Sequence, residues 1–133
     1  MEKTVKTHNL LVVDDDEDFV FQLKAQFAAA GYHVRAAHNG KAALEALEEA
    51  RPDLAIVDLM MEKPDVGFKL CYAIKKRDQN IPIIMVTSVT SETGIEFDAA
   101  TKEERSWVKA DVLLSKPVRF EQLQREVARL LKG

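Results

Sequence analysis

The sequence predicts an α/β fold, a doubly wound sheet of five parallel strands with helices on both faces, and two observations carry that prediction. Apolar runs of strand length alternate with stretches of helical period over five rounds, the pattern of βαβ units around a parallel sheet. Several of those runs are almost wholly apolar, as strands covered on both faces should be.

The first strand is Asn9 to Val13. Asp16 then stands where a side-chain oxygen can cap a helix. Phe19, Leu23 and Phe27 follow at i, i+4 and i+8, and Gly31 lies where a glycine just past the helix would stop it. The second strand, Tyr32 to Ala37, is more polar and is placed at an edge. Asn39 caps a helix carrying Ala43, Leu44 and Leu47, and Pro52 closes that segment. Leu54 to Val57 is the third strand; it ends at Asp58 and leads into an irregular loop with Pro64 and Gly67. The next helix carries Phe68, Leu70, Cys71 and Ile74. Ile81 to Val86 is the fourth strand, with Pro82 tolerated because it lies at the start. Val112 to Leu114 is the fifth, and a last helix from near Arg119 buries Phe120, Leu123, Val127 and Leu130. Between them Ser88 to Asp111, with Gly94 and patchy helical period, predicts a partial helix and a long loop.

With 133 residues, 47% of them hydrophobic, the chain suits one compact domain over 1–133, with a core over about 8–131 and no output domain attached. The formal charge of −3 and scattered basic residues point to neither a nucleic-acid nor a membrane surface. One cysteine, Cys71, permits no internal disulfide, and no apolar run approaches the roughly 20 residues of a membrane span. A reduced, cytoplasmic, soluble protein is expected.

In a doubly wound sheet, ligands bind beyond the carboxyl ends of the strands where strand order reverses. Asp14 and Asp15 end the first strand, Asp58 the third, Thr87 the fourth and Lys116 the fifth. If the first and third strands are neighbours, three carboxylates converge. Two such charges about 5 Å apart repel by roughly 3 kcal/mol at an effective dielectric of about 20, so a positive partner is required. Hard oxygen ligands without a placed Cys or His suit Mg²⁺ or Mn²⁺. A cation, an ammonium and a hydroxyl around a carboxylate form a site for a phosphoryl group. Asp58 is then the nucleophile, and Thr87 and Lys116 hold phosphoryl oxygens.

Four segments, LLVVDDDEDF (Leu10 to Phe19), LAIVDLMM (Leu54 to Met61), IIMVTS (Ile83 to Ser88) and LLSKPV (Leu113 to Val118), resemble the response-regulator receiver domain of two-component signalling, in order and at matching strand ends. The resemblance covers nearly the whole chain. It implies a CheY-like, flavodoxin-like strand order 2-1-3-4-5, phosphorylation of Asp58 by a histidine kinase or phosphotransfer protein, and pairing of Lys116 with the phosphoryl group. It also implies metal ligation by Asp15, Asp58 and the backbone carbonyl of Met60, a water-mediated contact from Asp14, and a cis bond before Pro117. Output would pass to a downstream protein effector through the fourth helix, fifth strand and last helix, with no nucleic acid or membrane contacted directly, from a monomer or homodimer.

The chain departs from that pattern at four places. The loop Glu62, Pro64, Asp65, Val66, Gly67 is one residue longer than the family's. Leu113 stands where the family usually has an aromatic switch residue; Trp107, near in sequence, reads as a structural tryptophan. The stretch from Thr87 to Lys116 is longer than usual. Met60 and Val89 occupy the positions that tune loss of the phosphoryl group, and neither can orient an attacking water, so slow autodephosphorylation is expected.

Asp16 and Asp18 read as cap and solvated surface, Cys71 as a small core residue, Met60 and Met61 side chains as packing, and His8, His33 and His38 as non-catalytic. An alternative is a small phosphatase of the haloacid-dehalogenase type using Asp14 and Asp16, although Asp18 falls where that family has Thr or Val and the chain is short for it. A third reading is a receiver-like scaffold that is never phosphorylated.

Overall fold

The computed structural model describes residues 8–58, 64–87, 111–115 and 118–132, with 64–68, 87 and 132 described by backbone alone. The strands are β1 (Asn9–Val13), β2 (His33–Ala37), β3 (Leu54–Asp58), β4 (Ile83–Thr87) and β5 (Val112–Ser115). The helices are α1 (Glu17–Ala29), α2 (Gly40–Glu49), α3 (Pro64–Arg77) and α4 (Phe120–Lys132). All strand pairs are parallel, in the order β2-β1-β3-β4-β5. Strand order therefore reverses at β1, which lies between β2 and β3.

Period-two alternation divides the apolar strands between two cores. Leu11, Val13, Ala55, Val57, Ile83 and Met85 face the side covered by α2 and α3, where Ala43, Leu47, Leu70, Cys71 and Ile74 are buried. Leu10, Val12, Leu54, Ile56, Ile84 and Val86 face α1 and α4, meeting Val20, Leu23, Phe27, Leu123 and Val127. The Phe27 and Phe120 rings meet edge-on at 4.8 Å, joining α1 to α4. Truncating any of the fully buried Leu or Ile side chains removes about 2–5 kcal/mol.

Local signals act where the sequence places them. The Asp16 carboxylate accepts the Asp18 and Phe19 N–H groups and so caps α1, and Asn39 Oδ1 accepts the Ala42 N–H at 2.7 Å to cap α2. Gly31, at φ 101°, turns the chain out of α1 in a conformation that strains any side-chain-bearing residue.

Several boundaries differ from the sequence reading. β2 begins at His33 because the Tyr32 N–H returns to the Phe27 carbonyl at the end of α1. β4 begins at Ile83, two residues late: Pro82 has no N–H, and the Ile81 N–H is used in a turn on Asp78 O. Ile81 nevertheless remains buried. β3 and β5 each extend one residue further than expected, to Asp58 and Ser115. Leu44 is 44% exposed, since the buried stripe of α2 narrows to Ala43 and Leu47. Phe120 and Leu130 are half-buried rather than fully buried. The side chain of Phe68, Trp107, and the expected helix and loop over Ser88 to Asp111, apart from Asp111 itself, lie outside the described residues.

Candidate phosphoacceptor and metal site

β1 and β3 run in register from Leu10↔Leu54 to Val13↔Val57, so the next residues, Asp14 and Asp58, stand side by side at the carboxyl edge of the sheet. That edge is where the strand order reverses, the place a doubly wound sheet leaves open for ligands. Asp14, Asp15 and Asp58 each offer a carboxylate oxygen within 4.8 Å of the others. Asp14 is 1% exposed and Asp58 5%, while Asp15 is exposed at the mouth. Like charges at that separation repel by about 3 kcal/mol at an effective dielectric near 20, and burial sharpens the demand for a cation.

Asp14 is held from several sides. Its N–H donates to the Ala37 carbonyl at 3.1 Å, extending the β1–β2 ladder by one rung. Its Oδ1 accepts the Asp16 N–H at 2.9 Å. The His38 ring, 3.3 Å from the Asp14 carbonyl through Nδ1, follows Ala37 directly and closes the same edge. The sequence reading missed that contact, although the edge pairing of β2 beside β1 would have suggested it. A groove of about 490 Å³ lined by Glu17, Asp18, Phe21, Lys24 and His38 opens beside this edge.

The other expected residues divide between what is described and what is not. Thr87 ends β4 and pairs with Ser115 of β5, but its side chain lies outside the described residues. Lys116, directly after Ser115, and Met60, two residues after Asp58, also lie outside them, as do Pro117 and Val89. Asp16 does not join the cluster as a second phosphatase carboxylate would, because its side chain caps α1. Leu113 is half-buried on β5 and packs against the α2–α3 core.

A tight set of carboxylates fits a small hard cation in its donor chemistry: three oxygen donors from three side chains, with no sulfur or imidazole among them. Among the described residues this is the group of His, Cys, Asp and Glu side chains so disposed.

The chain belongs to the response regulator receiver domain family, whose model matches residues 10–128. It is 33% identical over 125 residues to the response regulator MprA of Mycobacterium ulcerans, covering 92% of this chain and 50% of that protein. It is 32% identical over 123 residues to the alkaline phosphatase synthesis transcriptional regulatory protein PhoP of Bacillus subtilis, covering 92% and 48%. The chain thus spans about half the length of these curated relatives. Among solved structures it resembles the chemotaxis response regulator CheY4 of Vibrio cholerae, with a TM-score of 0.77, 30% identity and coverage of 94% and 99%. It also resembles the receiver domain of a signal transduction histidine kinase from Syntrophus aciditrophicus, with a TM-score of 0.77, 30% identity and coverage of 96% and 92%. The fold is CheY-like and the chain is a receiver domain of two-component signalling. These matches lend no support to a haloacid-dehalogenase phosphatase. No helix among the described residues is long and apolar enough to cross a membrane.

Proposed function

We propose that this receiver domain is a phosphoacceptor in which Asp58 takes a phosphoryl group, in a reaction that needs Mg²⁺ or Mn²⁺, from a histidine kinase or a phosphotransfer protein. The observation that carries the reading is the convergence of Asp14, Asp15 and Asp58 within 4.8 Å at the reversal point of the sheet.

Asp15 and Asp58 would hold the cation with the Met60 carbonyl, and Asp14 would reach it through water. When bound, the cation offsets the clustered negative charge and the charge that develops on the phosphoryl oxygens. The chain's own residues do the rest. An Asp58 carboxylate oxygen attacks phosphorus as the bond to the donor's imidazole nitrogen breaks, and that nitrogen takes up a proton afterwards. Thr87, the last residue of β4, and Lys116, the residue after β5 in sequence, would hold the phosphoryl oxygens left over. The changed surface then signals to a protein partner. Met60 and Val89 present no group able to orient a water, so the phosphoryl group is lost slowly.

The test is intact mass after incubation with Mg²⁺ and acetyl phosphate, comparing the chain with Asp58→Asn. A gain of one phosphoryl group that disappears in Asp58→Asn supports the reading; no gain from acetyl phosphate or from a histidine kinase leaves the scaffold reading.

A further inference from the structure

At the amino edge of the sheet, opposite the acidic cluster, two aspartates make the same contact. Asp53, directly before β3, donates its N–H to the Asn9 carbonyl at 2.8 Å and accepts the Asn9 N–H on Oδ2 at 2.7 Å. Asp111, directly before β5, donates its N–H to the Ile83 carbonyl at 2.8 Å and accepts the Ile83 N–H on Oδ2 at 2.8 Å. Asn9 and Ile83 are the first residues of β1 and β4. Each carboxylate is also faced by a cation: Arg51 Nη1 lies 3.7 Å from Asp53, and Lys75 Nζ lies 2.9 Å from Asp111. Both cations are fixed in turn, Arg51 Nε by Asp78 at 2.6 Å and Lys75 Nζ by the Ile81 carbonyl at 2.7 Å.

The pairs so gripped are the two that carry the chemistry. β1 is followed directly by Asp14 and Asp15, and β3 ends at Asp58; β4 ends at Thr87, and β5 ends one residue before Lys116. Residues 10–13, 54–57 and 83–86 are apolar and buried on both faces, and because side chains alternate with a period of two, a two-residue slip of β3 or β5 leaves every side chain on the same face. Apolar patterning alone therefore distinguishes poorly between such registers. It would displace a strand-end residue by about 6.6 Å, far beyond what a metal or phosphoryl site tolerates. An aspartate that closes both main-chain groups of one named residue admits a single register.

We propose that Asp53 and Asp111 are register clamps that set the heights of the site's two halves, Asp53 aligning Asp58 with Asp14 and Asp15, and Asp111 aligning Ser115, the residue before Lys116 in sequence, with Thr87. They are positioning residues acting through β3 and β5, and their functional readout rests on the phosphoacceptor reading above.

The experiment compares Asp53→Ala, Asp53→Asn, Asp111→Ala and Asp111→Asn in the full chain, at a temperature where circular dichroism shows each folded. Mg²⁺ affinity and the rate of phosphorylation by acetyl phosphate are measured. Asp53→Ala is expected to weaken Mg²⁺ binding about tenfold, the size seen when a residue orienting a metal ligand is lost. Asp53→Asn is expected to stay close to wild type, because an amide oxygen still accepts the Asn9 N–H. Asp111→Ala is expected to slow phosphorylation about tenfold with Mg²⁺ affinity unchanged, since its strand carries no metal ligand, and Asp111→Asn to restore the rate. A lowered melting temperature with Mg²⁺ affinity and phosphorylation rate intact in the alanine variants overturns the proposal, as does equal loss in alanine and asparagine variants. Amide hydrogen exchange at Asn9 and Ile83 reads the clamps independently of function and decides the matter if an alanine variant fails to fold. Slow exchange in wild type and both asparagine variants supports them; rapid exchange in wild type overturns them. A wild-type chain that neither binds Mg²⁺ nor accepts a phosphoryl group, yet protects both amides, overturns the phosphoacceptor reading alone.

Discussion

The Arg35 guanidinium on β2 donates to the Ala50 carbonyl at 2.9 Å, reaching from the sheet edge to the end of α2. A second bond from the same group meets the Ala46 carbonyl at 2.9 Å, which also accepts the Ala50 N–H, so one side chain ties the last turn of α2 to its C-terminal cap. Glu49, 3.6 Å away, adds an ion pair whose glutamate is largely exposed and which contributes little.

Replacing Arg35 with alanine removes both bonds at once. The expected cost is about 1–3 kcal/mol, read by urea unfolding. Mg²⁺ affinity stays at the wild-type value, because β2 meets the site through Ala37 and His38 rather than through Arg35.

Mg²⁺ is expected to stabilise the chain against heat. At a concentration 100 times its dissociation constant the gain is about 2.7 kcal/mol. Asp15→Ala, which removes the exposed member of the cluster without disturbing the buried pair, is expected to lose most of that gain. Thermal melts with Mg²⁺ and with a chelator make the comparison; an Asp15→Ala chain that gains as much as wild type contradicts the assignment.

Burial pushes the Cys71 thiol up to about 12 from an ordinary 9.0, with the Lys75 ammonium opposing and the Asp111 carboxylate adding to the rise. Between those two values the unfolded chain has lost the thiol proton and the folded chain has kept it. Stability should therefore fall as pH rises through that window, by about 1.4 kcal/mol per unit. Below pH 9 the thiol contributes no slope. Urea unfolding of wild type and Cys71→Ala at pH 8, 9 and 10.5 isolates the effect (pH values chosen to bracket its onset, about 9), and the variant's shallower alkaline loss is the expected result.

Asp78 titrates below the usual carboxylate range because the Asn80 N–H and then the Arg51 guanidinium hold its charged form. Its folded value is depressed, so its contribution is present above the ordinary value of 3.8 and is lost as pH falls through the lowered one. Asp78→Asn is expected to lose less stability than wild type on acidification from pH 5 to pH 3, steps on either side of about 3.9. Acid titrations followed by circular dichroism check this.

Much of this molecule could be read from residue order alone. Unbroken apolar strands required a sheet covered on both faces, Asp16 and Asn39 stood at their helix starts, and Asp14, Asp15 and Asp58 each followed an apolar run. These features are local, and local chemistry does not need the fold to declare itself. The strand starts were less legible: whether Ile81 entered β4 depended on the turn at Asp78, and Tyr32 was claimed by Phe27. Leu44 lay outside its helix's buried stripe because α2 turns only Ala43 and Leu47 inward.

What the sequence by itself determined was the list of acidic residues and the strands that carry them; what only the tertiary structure decided was how those residues meet. Asp14 and Asp58 stand side by side because β1 pairs with β3 in one register, and no run of apolar residues specifies that register, since a slip of two leaves its pattern unchanged. The bond that chooses it, Asp53 to Asn9, joins residues 44 positions apart, and the matching bond for β4 and β5, Asp111 to Ile83, joins residues 28 apart. Contacts across such separations form only once the sheet has assembled, so the spacing of residues along the chain carries no mark of them.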